Sequence, residues 1–338
     1  MARTCTYLFP GQGSQYVGMG YDLAESYPIA RDTFAQVDDT LGILLSELCF
    51  EGPADALDDT VNTQPAMLAA SVAALRVLRH LGLEEPAYVA GHSMGEFSAL
   101  VASGALSFEA GLHLVRQRGQ LMKQAGQQKP GGMAAVLGLD LGSLEDVCAV
   151  ARERTGSYVG VANDNCPGQI VISGATTALE RAMEVAEARG AKRAIRLAVS
   201  IPAHSPLMAE AAEAFRRRLD ATPLREPTVP IVANAVARPL TDPDAIREVL
   251  GRQLTSPARW TESMEWLLSQ GVDRFVEIGP KNVLTNLMRR IDRSATRMTT
   301  ADALSNLRRA STPDNARRHP TKVDRVSIAD NARPHPTM

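Results

Sequence analysis

Over the first part of the chain, short apolar runs alternate with stretches whose apolar residues recur every three or four positions. That is the pattern of a mostly parallel sheet covered by helices. Cys5–Phe9 reads as a strand that stops at Pro10. Pro65 follows Asn62-Thr63-Gln64 and suits an early helix position, and the spacing predicts a helix over Ala66–Leu81 closed by Gly82. Ala87–Ala90 is the next strand, and it runs into Gly91-His92-Ser93-Met94-Gly95 and another helix-prone stretch. From about Gly131 the order becomes strand Met133–Gly138, helix Ser143–Thr155, strands Tyr158–Asn163 and Gln169–Ser173, helix Thr177–Arg189 and strand Arg193–Ala198. This βαββαβ order, over about 70 residues, is the ferredoxin-like arrangement. The first rhythm then returns, with strands at Val229–Ala233 and Arg274–Ile278 and a helix from Val283 to about Arg290. An α/β fold is expected, in which a large domain of residues 1–128 and 200–290 is interrupted by a ferredoxin-like subdomain at 129–199.

Beyond Ile291 apolar residues thin out, and Asp314-Asn-Ala-Arg-Arg-His-Pro-Thr321 nearly recurs as Asp330-Asn-Ala-Arg-Pro-His-Pro-Thr337. Such Pro- and Arg-rich copies cannot bury a face, so 291–338 is expected to be a disordered tail. Charge sharpens that division. The 338 residues carry a formal charge of only −2, but 291–338 hold nine Lys or Arg against five Asp, leaving −6 on residues 1–290. An acidic body with a basic tail offers no broad field for nucleic acid. No apolar stretch approaches the roughly 20 residues of a membrane span, and the start has too short an apolar run for a secretory signal. Cys5, Cys49, Cys148 and Cys166 lie 44, 99 and 18 positions apart, which fits neither a disulfide framework nor a zinc site. A cytoplasmic protein with free thiols and no metal is the expectation.

The strongest chemical signal is Gly91-His92-Ser93-Met94-Gly95 between a strand and a helix. A serine there stands on a sharp turn with its hydroxyl exposed above the sheet. The competing reading is a tight turn in which Ser93 caps the helix. A nucleophilic serine needs a base. Of six histidines, His319 and His335 lie in the tail, His80 ends a surface-like helix, His113 falls on a polar helix face, and His92 points away from its neighbour Ser93. That leaves His204 in Ser200-Ile-Pro-Ala-His204, where the chain re-enters the large domain; the alternative is a hydrogen-bonded surface histidine. On a helix from Phe108 to Met122, Arg118 falls amid Leu112, Leu114, Val115, Leu121 and Met122. An inward guanidinium keeps its charge and needs a carboxylate from the protein or a ligand, unless it snorkels outward. Gly11-Gln12-Gly13-Ser14-Gln15 follows the first strand and could bring a backbone N–H beside that of Met94 to hold an oxyanion.

Together, Phe9-Pro-Gly-Gln-Gly-Ser-Gln15, Thr63-Gln-Pro-Ala66, Gly91-His-Ser-Met-Gly-Glu96, Arg118-Gly119, Asn163 within Ala162–Gln169, Ser200-Ile-Pro-Ala-His204 and Glu277-Ile-Gly-Pro280 resemble the malonyl-CoA:acyl carrier protein transacylase family. The resemblance spans about residues 5–290 in order. It implies an α/β-hydrolase-like large domain with an inserted ferredoxin-like subdomain. It also implies Ser93 as acyl-accepting nucleophile, His204 as base, the N–H groups of Gln12 and Met94 as oxyanion hole, and the Gln253 carbonyl as the group that orients the base. Arg118 would bind the malonyl carboxylate, with Gln64, His92 and Asn163 lining the pocket. The implied reaction is ping-pong transfer from malonyl-CoA to the phosphopantetheine thiol of a carrier protein met in trans, in fatty acid or polyketide synthesis. No cofactor is implied, and a monomer is the expected state. Ala203 before His204 fits the discrete transacylases and also leaves room for a methyl- or ethylmalonyl donor. A thioester hydrolase that proofreads carrier proteins and a non-catalytic docking module are the alternatives.

Overall fold

The computed structural model describes residues 4–310 of the chain. Its strands, in chain order, are β1 Thr4–Phe9, β2 Tyr88–Gly91, β3 Gly131–Leu137, β4 Val159–Cys166, β5 Gln169–Ala175, β6 Arg193–Arg196, β7 Ile231–Ala233, β8 Arg238–Leu240, β9 Ala258–Arg259, β10 Val272–Glu277 and β11 Thr296–Met298. They form two sheets, one ordered β11-β10-β1-β2-β7-β8 and the other β6-β3-β5-β4-β9. The first is parallel from β11 to β7, with β8 antiparallel at its edge.

Alternation along the strands decides which core each residue enters. Tyr7, Phe9, Val89 and Val276 face one cluster with Met67, Leu68, Val72 and Leu75 of the helix Thr60–His80. Their neighbours Leu8, Ala90 and Phe275 face the other, with Trp260, Met264, Leu267 and Leu284. The large sheet is thus covered on both faces, as a parallel sheet requires. In the small sheet β3 pairs antiparallel with β5 and β6, and β4 pairs antiparallel with β5. Val136, Val159, Ile170 and Ile172 bury one face against Leu144, Val147, Leu179 and Ala182 of helices Leu141–Thr155 and Thr176–Ala188. The opposite face sends Met133, Ala162 and Val171 into the large core, and β9 adds a parallel edge to β4.

Two expectations change. The helix expected over Ala66–Leu81 begins at Thr60, because the Asp59 side chain accepts the Val61 N–H at 3.0 Å and caps it there. The tail boundary also moves. Thr296–Met298 pairs with β10, and the helix Thr300–Ala310 buries Ala303 on the large core, so residues 296–310 belong to the fold. They escape a periodicity reading because the strand is three residues long. Both near-repeats, with His319 and His335, lie outside the described residues. No helix among the described residues is long and apolar enough to cross a membrane, and all four cysteines are buried and unpaired.

Ending the chain at Arg290 removes the β11 pairing and the helix packed beside it. The shortened protein should lose at least about 2 kcal/mol of stability, which urea unfolding against the full chain will measure.

Candidate active site

The parallel strands β1, β2 and β7 end at the same edge of the large sheet, and the site is built on the turns that follow them. Gly91 closes β2 and the helix Gly95–Ala102 starts four residues later. A Cβ at Gly91 would overlap the Gly95 backbone, and one at Gly95 would overlap the Phe9 carbonyl, so the crossing demands glycine at both. Between them Ser93 is left-handed, with φ 52°. Asn234, just past β7, holds it there: its Oδ1 accepts the Ser93 N–H at 2.7 Å and its Nδ2 donates to the Gly91 carbonyl at 2.6 Å. Met94, not Ser93, is the N-cap residue, and Ser93 Oγ lies against His204 and Arg118 instead, which does not support the capping alternative.

His204 is also left-handed, with φ 58°, and its Nε2 lies 2.8 Å from Ser93 Oγ. Its Nδ1 is 3.0 Å from the carbonyl oxygens of both Gln253 and Ser256. Carbonyls only accept, so the proton sits on Nδ1 and the Nε2 lone pair faces the hydroxyl. Burial, with the Arg118 cation next in size, pushes the imidazole down to about 4, against the two carbonyls. At neutral pH this histidine is an uncharged acceptor.

Arg118 is 2% exposed on the helix Phe108–Gln128. Its Nη1 donates to Gln64 Oε1 at 2.8 Å and to Met122 Sδ at 3.2 Å, and its Nη2 donates to Gln253 Oε1 at 2.9 Å and to Ser93 Oγ at 3.3 Å. Among the described residues it has no direct carboxylate partner, and its Nε is buried without one. Burial pulls it down to about 10, opposed by the charge of Glu96, so it stays a cation. Glu96 reaches it only through Gln253, whose Nε2 donates to the Glu96 carboxylate and, at 3.0 Å, to the Ser93 carbonyl.

The structure therefore brings together Ser93, His204, Arg118, Gln64 and Gln253. Gln12 joins at the margin, its Oε1 accepting from Thr60 Oγ1 at 3.0 Å, while Thr60 Oγ1 also accepts from Gln64 Nε2 at 3.0 Å. Met94 and Ala203, next in sequence to Ser93 and His204, are both buried. His92 turns away from Ser93, and its Nε2 lies 2.8 Å from Asn165 Oδ1, two residues beyond the buried Asn163 on β4. His80 and His113 are exposed. Sequence reasoning missed Glu96 as a partner, the Gln253 side chain, Asn234, Asn165 and the Ser256 carbonyl. Only Glu96 carried a signal, a charged residue closing the Gly91–Glu96 motif. A cleft of about 310 Å³ lined by Gln12, Asp59, Thr60, Lys123, Ser200 and Ile201 opens beside the site. A larger hollow of about 500 Å³ around Tyr16, Lys281 and Thr300 contains none of these groups, so size does not mark the chemistry.

The family model described as "Acyl transferase domain" matches residues 6–332. The malonyl CoA-acyl carrier protein transacylase of Bacillus subtilis is 47% identical over 85% of this chain and 90% of its own. The chain belongs to the malonyl CoA-acyl carrier protein transacylase family. Among solved structures, the transacylase of that name from Coxiella burnetii superposes with a TM-score of 0.88 at 39% identity, covering 92% of this chain and 98% of the other. A malonyl-transacylase solved with a type II polyketide synthase acyl-carrier protein has a TM-score of 0.86 at 41% identity, covering 90% and 99%.

With His204 buried and neutral, the stability of this acyltransferase should show a particular dependence on pH. His204 is held below its ordinary 6.5, so the unfolded chain protonates first as pH falls. Its contribution to stability is complete above pH 6.5 and is lost on descending through about 4. Urea midpoints of the wild type and His204→Asn should therefore converge over that interval, and parallel curves would contradict the assignment.

Proposed function

We propose that this acyltransferase carries a malonyl group from CoA to the phosphopantetheine thiol of an acyl carrier protein by a ping-pong route through Ser93. What carries the reading is a serine hydroxyl with a neutral imidazole 2.8 Å away and a buried guanidinium nitrogen 3.3 Å away. As Ser93 Oγ attacks the thioester carbonyl, His204 Nε2 takes its proton. The oxyanion that forms is held by the backbone N–H groups of Gln12 and Met94, and its collapse breaks the C–S bond. The proton on Nε2 passes to the departing CoA sulfur. The carrier protein's thiol then attacks the Ser93 ester, with His204 again accepting the proton and returning it to Ser93 Oγ as the C–Oγ bond breaks. During the cycle the proton stays on His204 Nδ1, hydrogen-bonded to the Gln253 and Ser256 carbonyls, which favour the imidazolium as it forms.

Arg118 receives the free carboxylate of the donor. Its present acceptors at the tips are two neutral amides, Gln64 and Gln253, which a carboxylate can replace with stronger, charge-assisted bonds. Gln64 then orients the guanidinium, and Asn163 and His92 close the small-subdomain side. The small Ala203 and the buried Met94 suit malonyl and leave a substituted malonyl donor as the neighbouring specificity. A separate carrier protein is the partner this reading takes, as with the malonyl-transacylase solved in complex with a type II polyketide synthase acyl-carrier protein. The strand order β6-β3-β5-β4 and its antiparallel pairing support a ferredoxin-like subdomain over about residues 129–199, set into an α/β-hydrolase-like domain that runs on to residue 310. Four buried, unpaired thiols suit a reducing cytoplasm.

Intact-mass measurement after exposure to malonyl-CoA should show one acyl group on the wild type and none on Ser93→Ala. Arg118→Ala should still acylate but lose its preference for malonyl-CoA over acetyl-CoA, by about a hundredfold in kcat/KM for a charge-assisted pair.

A further inference from the structure

We propose that Glu96 is a positioning residue that sets selectivity for the dicarboxylic donor by fixing which end of the Gln253 amide faces Arg118. The inference rests on the assignment of Arg118 to the donor's carboxylate. Glu96 is 2% exposed in the first turn of the helix after Ser93, and it makes no hydrogen bond to Ser93 Oγ, His204 or Arg118. One of its carboxylate oxygens accepts the Asn234 N–H at 2.6 Å and the other accepts from Gln253 Nε2.

A primary amide has two N–H donors at one end and only acceptor capacity at the other. Both donors of Gln253 are used, one on Glu96 and one on the Ser93 carbonyl. The amide oxygen is thereby left to face Arg118 Nη2, at 2.9 Å. Turned over, it would set its oxygen against a carboxylate oxygen and its NH₂ against a guanidinium, two repulsive contacts in place of two attractive ones. In its carboxylate form Glu96 makes the orientation one-sided, because an amide in its place could donate as well as accept.

The same residue holds the base. Gln253 accepts the His204 Nδ1 proton on its backbone oxygen and the Arg118 proton on its side-chain oxygen. Turning the side chain leaves the backbone contact in place, so an error at Glu96 reaches the carboxylate receptor first and the dyad second. A purely structural role, such as support for the helix start, would weaken all donors alike.

The experiment measures kcat and KM of the full-length protein with malonyl-CoA and acetyl-CoA for the wild type, Glu96→Gln, Gln253→Met, the double variant and Arg118→Ala. Glu96→Gln should lower kcat/KM for malonyl-CoA about tenfold, chiefly through KM, and that for acetyl-CoA less than about threefold. Gln253→Met keeps the backbone carbonyl and should show the same selective loss, and Glu96→Gln should add nothing to the malonyl-to-acetyl ratio in its background. Equal losses for both donors, or additive losses in the double variant, overturn the proposal. Should Glu96→Gln fail to fold, Gln253→Met decides alone, and an undiminished malonyl preference there overturns it. If Arg118→Ala itself keeps the preference, the carboxylate assignment fails; if Arg118→Ala loses it and Glu96→Gln does not, only the role of Glu96 fails.

Discussion

A guanidinium that cannot shed its proton is buried 3.3 Å from the hydroxyl of Ser93, and the polar architecture around it follows from that charge. Left unpartnered it would cost far more than one hydrogen bond repays. Gln64 and Gln253 give it amide oxygens, Met122 a sulfur and Phe97 a ring face whose centroid is 6.0 Å away. None of these matches the charge. Glu96 does, at one remove across the Gln253 amide, and burial pushes its carboxyl up to about 7. The free site therefore keeps a cation with neutral ligands at its tips, an arrangement suited to exchange with an anionic ligand.

The second constraint is strain. Ser93 and His204 are both non-glycine residues in the left-handed region, and such positions cost of order 1 kcal/mol or more each. Each is held by groups from a distant part of the chain, Ser93 by the Asn234 side chain and His204 by the carbonyls of Gln253 and Ser256. Asn234 also donates its backbone N–H to Glu96, and Gln253 donates to both Glu96 and the Ser93 carbonyl. The elbow, the base and the arginine thus share a set of polar supports drawn from residues 234–256. Geometry set by the large sheet is passed to the base through them, although His204 enters from the junction with the small subdomain.

How much of this could be read beforehand follows from the range of each interaction. The strand–Gly–x–Ser–x–Gly–helix pattern is local, so Ser93 was legible. Arg118 was legible because a helix face is fixed by 100° per residue, and its inward place survives in the structure. His204 was reached only by elimination, and family resemblance then named the Gln253 carbonyl. Asn234 and the side chain of Gln253 left no local trace, since their partners lie 141 and 157 positions away. Residues 296–310 were read as tail because a three-residue strand beside a basic helix shows no periodicity until β10 supplies its partner.

Charge also links recognition to chemistry. Arg118 is the second cause, after burial, of the depressed basicity of His204. On the proposed role of Arg118, a carboxylate seated there would offset that cation, so its pull on His204 would weaken and the imidazole would become the stronger base. A monocarboxylic acyl group would supply no such offset. On that proposed role, preference for a dicarboxylic donor would be expressed twice, once when Arg118 binds it and again when the barrier to proton transfer falls. The close spacing of guanidinium, hydroxyl and imidazole is what makes the second expression possible, because a charge farther from His204 would be screened before it reached the ring.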